Sequence, residues 1–129
     1  MELIELYLKS QMHKVLTLDI KEKMLSHAYL VVSKDDLLLN EFCMLGIKEI
    51  YCLGDNPPCN NCVNCNKVEH GNMVDLEVYP KDDKNLVVED IEKIVESAYI
   101  RPMESAYKIF YLKNFDKCTT QGQNKILKT

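Results

Sequence analysis

The sequence predicts an α/β protein whose strands form a parallel sheet. Two apolar runs of strand length, at residues 27–32 and 108–112, and an alternating run at residues 73–79 are separated by segments with helical periodicity. Strands that alternate with helices in this way are typical of parallel sheets joined by right-handed crossovers. Because 129 residues correspond to about one domain, we expect residues 1–129 to share one domain.

Helical periodicity and capping residues predict the helices. Apolar residues recur at helical spacing over the N-terminal stretch, which predicts one or two amphipathic helices there. Asp35 and Asp36 are capping candidates for a helix that begins at Leu37. This helix either ends near Gly46 or continues towards Cys52. Further helical segments are predicted at residues 20–25, 88–98 and 121–129, the last without a Gly or Pro stop signal, as in a truncated chain. Residues 68–71 are predicted to close a short helix that follows the cysteines.

The bulk composition is that of a globular protein without membrane or secretion signals. Hydrophobic residues make up 47% and charged residues 28% of the chain. No apolar run approaches the roughly 20 residues of a membrane span. The N-terminal stretch is acidic and amphipathic rather than a signal peptide, which favours a cytoplasmic protein with reduced cysteines. A net charge of -4 and a pI near 5.4 argue against a surface that binds nucleic acid as a whole.

Four cysteines within fourteen residues predict a metal centre. Cys59, Cys62 and Cys65 form a C-x-x-C-x-x-C run, and Cys52 lies seven residues upstream. Two-residue gaps bend the chain tightly enough to direct neighbouring sulfurs at one ion, and four thiolates complete the tetrahedral shell of Zn²⁺. Such a shell has no open position for water, so we expect zinc to be structural rather than catalytic. His70 is a substitute ligand if one cysteine does not bind.

Several segments occur in the order found in one known family. They are residues 27–30 (HAYL), the four cysteines, residues 71–75 (GNMVD), residues 88–91 (VEDI) followed by Tyr99 and Pro102, and residues 124–129 (NKILKT). Over residues 23–129 the chain resembles the bacterial DNA polymerase III clamp-loader subunits of the AAA+ class. The resemblance implies a partial AAA+ (P-loop-like) parallel-sheet domain at residues 1–129, truncated on its C-terminal side, with an inserted four-cysteine zinc module at about residues 52–65.

At the positions of the family's phosphate loop, this chain lacks the residues that bind phosphate. When G-x-x-x-x-G-K-[ST] is placed by counting from HAYL, the two glycines, the lysine and the hydroxyl residue correspond to Ser33, Leu38, Leu39 and Asn40. Glycines let backbone N–H groups surround phosphates, the lysine neutralises phosphate charge, and the hydroxyl holds Mg²⁺. The resemblance therefore implies a degenerate loop that does not bind nucleotide.

The second half of the nucleotide site is altered as well. After KIFYL the ATPase members carry Asp-Glu, the metal-holding and water-activating pair, where this chain has Lys113 and Asn114. Lys113 cannot hold Mg²⁺, and Asn114 cannot act as a general base. With the zinc ligands intact, these losses match the delta-prime type of member, a structural, non-hydrolysing subunit of the ring that loads the sliding clamp during DNA replication. We therefore expect no catalytic residues and no intrinsic ATPase.

The resemblance also implies partners. They are the gamma/tau and delta clamp-loader subunits and, through them, the sliding clamp and primed DNA, with no membrane and no direct sequence-specific DNA binding. A delta-prime subunit supplies an arginine to a neighbour's ATP site from a Ser-Arg-Cys motif, which this sequence lacks. Arg101 is interpreted as a solvated charge in a loop.

Three other functions stay open at the level of sequence. A gamma/tau-type clamp-loader ATPase with divergent motifs would bind ATP with micromolar affinity. A zinc-ribbon nucleic-acid-binding module would give a salt-sensitive gel shift. A thiol redox enzyme that uses Cys62 and Cys65 would need a low thiol pKa and would lose zinc without unfolding. Cys43 and Cys118 are interpreted as unliganded thiols.

Overall fold

Helices and one small parallel sheet make up the part of the chain that the computed structural model describes, residues 2–26, 28–79, 87–113 and 123. The chain divides into two compact units, Met1–Met73 and Val74–Thr129. In chain order the elements are α1 (Leu3–Leu8), α2 (Gln11–Lys21), α3 (Asp36–Tyr51), α4 (Val63–Glu69), β1 (Leu76–Tyr79), α5 (Val88–Ala98) and β2 (Ile109–Leu112).

The first unit is helical, and α3 is the element against which α1, α2 and α4 pack. The Ser10 hydroxyl caps α2 by accepting the His13 N–H at 3.1 Å. Close packing of α2 on α3 depends on Gly46, because a Cβ there would lie 2.4 Å from Met12 Cε and 3.1 Å from Leu16 Cδ1. The buried apolar side chains of this unit are Tyr7, Leu16, Leu45, Ile47, Tyr51, Cys65, Val68 and Met73.

The second unit contains a β-α-β arrangement. β1 and β2 pair in parallel, with Leu76 opposite Ile109 and Tyr79 opposite Leu112. The core between α5 and the sheet is formed by Tyr79, Ile91 and Ile94, with Val95, Phe110 and Leu112 packed around it. This pairing confirms the predicted parallel sheet, although the described residues provide only these two strands.

The prediction of a covered strand at residues 27–32 is wrong for the described residues 28–32, which form no strand. Leu30 and Val32 are 77% and 82% exposed. A strand needs a hydrogen-bonded neighbour, and the described part of the first unit contains no other strand that could pair with this segment. The Tyr29 hydroxyl donates to Asp19 Oδ2 at 2.7 Å and accepts the Ser26 N–H at 3.0 Å. Residue 27 lies outside the described residues.

Most of the predicted helices are confirmed. The N-terminal periodicity corresponds to α1 and α2, residues 88–98 form α5, and α3 takes the longer of its two predicted courses. The helix predicted at residues 20–25 is wrong, because α2 ends at Lys21 and Lys23 adopts a left-handed φ of 56° that closes it. The predicted helix at residues 121–129 lies outside the described residues, apart from Gln123, which is helical.

Candidate metal centre

The four predicted cysteine ligands lie together in the structure. The Sγ atoms of Cys52, Cys59, Cys62 and Cys65 are all within 4.8 Å of one another, and those of Cys59 and Cys65 are 4.0 Å apart. A tetrahedron with metal–sulfur bonds of about 2.3 Å has edges of about 3.8 Å, so small shifts of these sulfurs would suffice to hold one Zn²⁺. The donor set therefore fits the predicted metal.

Local structure brings the sulfurs together. Cys52 follows the last residue of α3, and Cys62 is the N-cap of α4, where its sulfur accepts the Cys65 N–H at 3.4 Å. Between them the chain passes close to itself at Gly54, where a Cβ would lie 3.1 Å from Cys59 Cβ. Only glycine fits this approach without displacing a ligand.

Backbone N–H groups point at the sulfurs. Cys59 Sγ accepts the N–H of Asn61 at 3.4 Å and of Cys62 at 3.2 Å. Cys52 Sγ accepts the N–H of Gly54 at 3.3 Å, and Cys62 Sγ also accepts from Leu53 at 3.5 Å. Hydrogen bonds to sulfur stabilise the thiolate, which is the form that binds a metal.

The pKa values of the thiols reflect these contacts. The Asn61 N–H lowers the pKa of Cys59. For Cys62, burial opposes ionisation, but the Leu53 and Cys65 N–H groups and the neighbouring thiols outweigh it and lower the pKa to about 6. Burial raises the pKa of Cys52, and it raises that of Cys65 to about 12. The contacts thus lower the pKa of two thiols while burial raises that of the other two, and a bound cation would favour the thiolate form of all four.

The surrounding residues brace the cluster. Asn60 adopts a left-handed φ of 59°, a conformation that asparagine tolerates, and its Oδ1 accepts from Lys48 Nζ at 3.2 Å. Asn64 Nδ2 donates to the Tyr51 carbonyl at 2.9 Å. His70 is not part of the cluster, because its Nδ1 lies 2.8 Å from the Asn66 carbonyl on α4. The cysteines therefore form the candidate site without it.

The degenerate phosphate-loop positions lie at the start of α3. The Ser33 hydroxyl accepts the Asp35 N–H at 3.2 Å, and Leu38, Leu39 and Asn40 lie within the first turns of the helix. Asp35 caps this helix, since its Oδ1 accepts the N–H groups of Leu37 and Leu38, both at 3.1 Å. Two N–H groups at the N-terminus of α3 are thus already hydrogen-bonded to the protein's own carboxylate.

The second degenerate motif lies in the other unit. Lys113 follows β2, its N–H donates to the Tyr79 carbonyl at 2.8 Å, and its Nζ lies 5.8 Å from the centroid of the Tyr111 ring. Asn114 lies outside the described residues, as does Cys118. Arg101 is exposed, as interpreted from the sequence.

Sequence reasoning missed two buried carboxylates. Glu49 is 2% exposed and accepts hydrogen bonds from Tyr7, His13 and Thr17. The available signal was a charged pair, Lys48 and Glu49, inside the apolar last turns of a helix. The other carboxylate, on Asp75 in the second unit, is 1% exposed and binds three consecutive N–H groups at residues 103–105. Asp75 belongs to the GNMVD segment, but the spacing of residues along the chain does not reveal that residues 103–105 are its partners.

Fold and site together define an α/β protein with a cluster of four cysteines that could hold one metal ion. A family model described as DNA polymerase III, delta subunit, matches residues 8–129. The chain belongs to this family, which confirms the resemblance read from the sequence.

Individual relatives agree with the family. The chain is 30% identical to DNA polymerase III subunit delta' of Bacillus subtilis over 122 residues, which are 94% of this chain and 37% of the relative. It is 25% identical to DNA polymerase III subunit tau/gamma of Haemophilus influenzae over 112 residues, 85% of this chain and 16% of the relative. The chain thus spans about a third or less of these relatives' length. None of the helices among the described residues has the length and apolar character that a membrane span requires.

Proposed function

We propose that this chain belongs to a non-hydrolysing, delta-prime-type subunit of the DNA polymerase III clamp loader, acting as a structural member of the ring that loads the sliding clamp. Family membership and the similarity to a delta' subunit support the clamp-loader assignment. The sequence at the phosphate-loop and Asp-Glu positions supports the absence of ATP hydrolysis.

One observation carries the non-hydrolysing assignment: the Asp35 cap at the N-terminus of α3. Its carboxylate accepts two of the N–H groups that would otherwise be available to phosphate. A triphosphate would have to displace this tethered anion and would be repelled by Asp36, one residue further on. Leu39, at the lysine position, supplies no compensating charge.

Zinc in the cysteine cluster and the AAA+ fold are parts of the same proposal. The four close sulfurs and their N–H donors support structural zinc in a module at about residues 52–65. The parallel β1 and β2 joined through α5 support a partial P-loop-like sheet, and we propose that both units belong to one AAA+-like domain at residues 1–129. The cysteines that the structure describes form no disulfide, which supports the cytoplasm as the compartment.

The proposed partners are the gamma/tau and delta subunits and, through them, the sliding clamp and primed DNA. The names of the relatives support subunits of DNA polymerase III as partners. The net charge of -4 supports the absence of direct, sequence-specific DNA binding by this chain.

A thiol redox function is a second candidate, because the pKa of Cys62, lowered to about 6, is what such an enzyme needs. A redox pair uses two sulfurs, whereas here four converge and at least three of them accept backbone N–H groups. The four-sulfur geometry therefore favours metal. Retention of fold and thiol reactivity after removal of zinc would favour the redox function instead.

Reconstitution tests the proposed function. The full-length natural protein, mixed with tau/gamma and delta, should assemble and support clamp loading. Leu39→Ala or Lys113→Ala in this chain should leave ATP turnover by the complex unchanged, whereas loss of the phosphate-loop lysine in tau/gamma should abolish it. Failure to assemble, or turnover that falls with Leu39→Ala, would contradict the proposal.

A further inference from the structure

Two consecutive buried residues in the last turn of α3 contact two different parts of the first unit. Glu49 contacts the N-terminal helices α1 and α2. Its carboxylate accepts from Tyr7 Oη at 2.7 Å, His13 Nδ1 at 2.8 Å and Thr17 Oγ1 at 2.6 Å. A carboxylate with three donors from two helices fixes the position of those helices on α3.

Lys48 contacts the segment that carries the cysteines. Its Nζ donates to Asn60 Oδ1 at 3.2 Å and to the Glu69 carboxylate. Asn60 lies between the second and third cysteines of the cluster, and Glu69 is the last residue of α4. The same segment also holds the end of α3 through Asn64, which donates to the Tyr51 carbonyl at 2.9 Å. The last turn of α3 is therefore attached to the cysteine segment on one side and to the N-terminal helices on the other.

We propose that this turn couples metal binding by the four cysteines to the docking of α1 and α2 on α3. The inference rests on the proposed zinc. The segment from Cys52 to Cys62 contains no helix or strand, so the metal would be what holds Asn60 in place. Without the metal, the buried Lys48 ammonium group loses its partner Asn60. Water can reach this charge only if the last turn of α3 rearranges.

Rearrangement of the turn moves Glu49 relative to its three donors. Each unmatched buried polar group costs free energy, so α1 and α2 dock less tightly when the metal leaves. Because coupling between two sites is reciprocal, loosening α1 and α2 must weaken metal binding by the same factor. Through this coupling, how tightly α1 and α2 dock on α3 depends on whether the metal is bound.

Hydrogen exchange tests the coupling in the full-length natural protein, with zinc bound and after removal by a chelator. We expect amide exchange in α2 to speed up about tenfold on chelation. Exchange in α5, in the other unit, should not change and serves as the control for global unfolding. Unchanged α2 exchange in a chain that has lost its zinc would overturn the coupling, and so would an equal increase in α5.

Two variants test the route. Lys48→Met keeps a long apolar stem but removes the contacts to Asn60 and Glu69, so α2 should respond much less to chelation; a full response would overturn the proposal. Thr17→Val removes one donor to Glu49 and should lower zinc affinity, measured by competition with a chromophoric chelator. Glu92→Gln, at an exposed position on α5 in the other unit, is the control and should leave the zinc affinity unchanged. Equal zinc affinities in the natural protein, Thr17→Val and Glu92→Gln would overturn the effect of helix docking on metal binding.

Metal analysis of the same samples separates the two failures. A natural protein that binds no zinc would refute the metal proposal and this inference with it. A protein that binds about one zinc per chain while α2 stays unresponsive would refute the coupling alone.

Discussion

Asp75 shows how one buried carboxylate can hold a whole loop. It accepts the N–H groups of Met103 at 2.6 Å and of Glu104 and Ser105 at 2.9 Å, together with the Ser105 hydroxyl at 2.7 Å. Burial alone would raise the pKa of Asp75, but these donors outweigh it and lower the pKa to about 2. The charged form is therefore favoured by the fold.

The first prediction concerns acid stability and Asp75→Asn. A folded-state pKa below the unfolded value stabilises the fold above about pH 4, and this contribution is lost as the pH falls towards 2. Asp75→Asn should lower the free energy of unfolding by about 2 kcal/mol at pH 7 and flatten its dependence on pH between about 5 and 2. Urea unfolding at several pH values measures both effects.

The exposed Glu92 on α5 provides the control for this prediction. Glu92→Gln should change the free energy of unfolding by less than about 0.5 kcal/mol. If Asp75→Asn were equally mild and kept the natural pH dependence, the loop would not depend on the carboxylate.

At the residue scale, sequence could predict short-range chemistry only. The four cysteines lie close together, and Asp35 caps α3, as the sequence predicts. Both arrangements depend on residues that are close along the chain. Glu49 and Asp75 were missed because their partners lie about 30 or more residues away, and a sequence of ordinary composition does not reveal which loop or helix meets which carboxylate.

At the scale of elements, the cysteine module gives the second prediction. Cys59→Ser removes one of the four proposed ligands, so it should abolish tight zinc binding and lower the free energy of unfolding of the first unit by about 3 kcal/mol or more. Cys43→Ser, outside the cluster, is the matched control and should keep about one zinc per chain. Equal zinc content in both variants would show that Cys59 is not a ligand.

The third prediction compares two glycines. Gly54→Ala places a Cβ 3.1 Å from Cys59 Cβ and should weaken zinc binding about tenfold, or about 1.4 kcal/mol. Gly71, at a φ of 71°, has no atom within 4 Å of its Cβ position. Gly71→Ala should therefore cost about 1 kcal/mol of stability while leaving zinc affinity unchanged. Chelator competition and urea unfolding separate the two effects, and a reversed pattern would contradict the packing argument.

Element prediction succeeded where the signal is local. Helix α5 was predicted with its observed bounds because the residues that form its apolar face and its two ends all lie within one short segment of the sequence. The run at residues 27–32 failed because a strand depends on a partner that is distant in sequence, and apolar character alone does not supply one. The half-buried β2 formed because β1 and α5 cover it.

For the whole molecule, the proposal contrasts a cluster of four cysteines that could hold a metal with phosphate-loop positions whose residues do not suit a nucleotide. The four sulfurs lie within 4.8 Å of one another, while the Asp35 carboxylate caps α3 beside the proposed phosphate-loop positions. The parallel β-α-β unit and the family were accessible from sequence because ordered motifs carry them.

The most direct test is to measure Mg²⁺-dependent ATP binding by the full-length natural protein with isothermal titration calorimetry. We expect no saturable binding at ATP concentrations up to the low millimolar range, because Asp35 and Leu39 replace the groups that would hold the phosphates. Micromolar affinity that requires Mg²⁺ and is weakened by Leu39→Ala would contradict the account and favour an active gamma/tau-type ATPase.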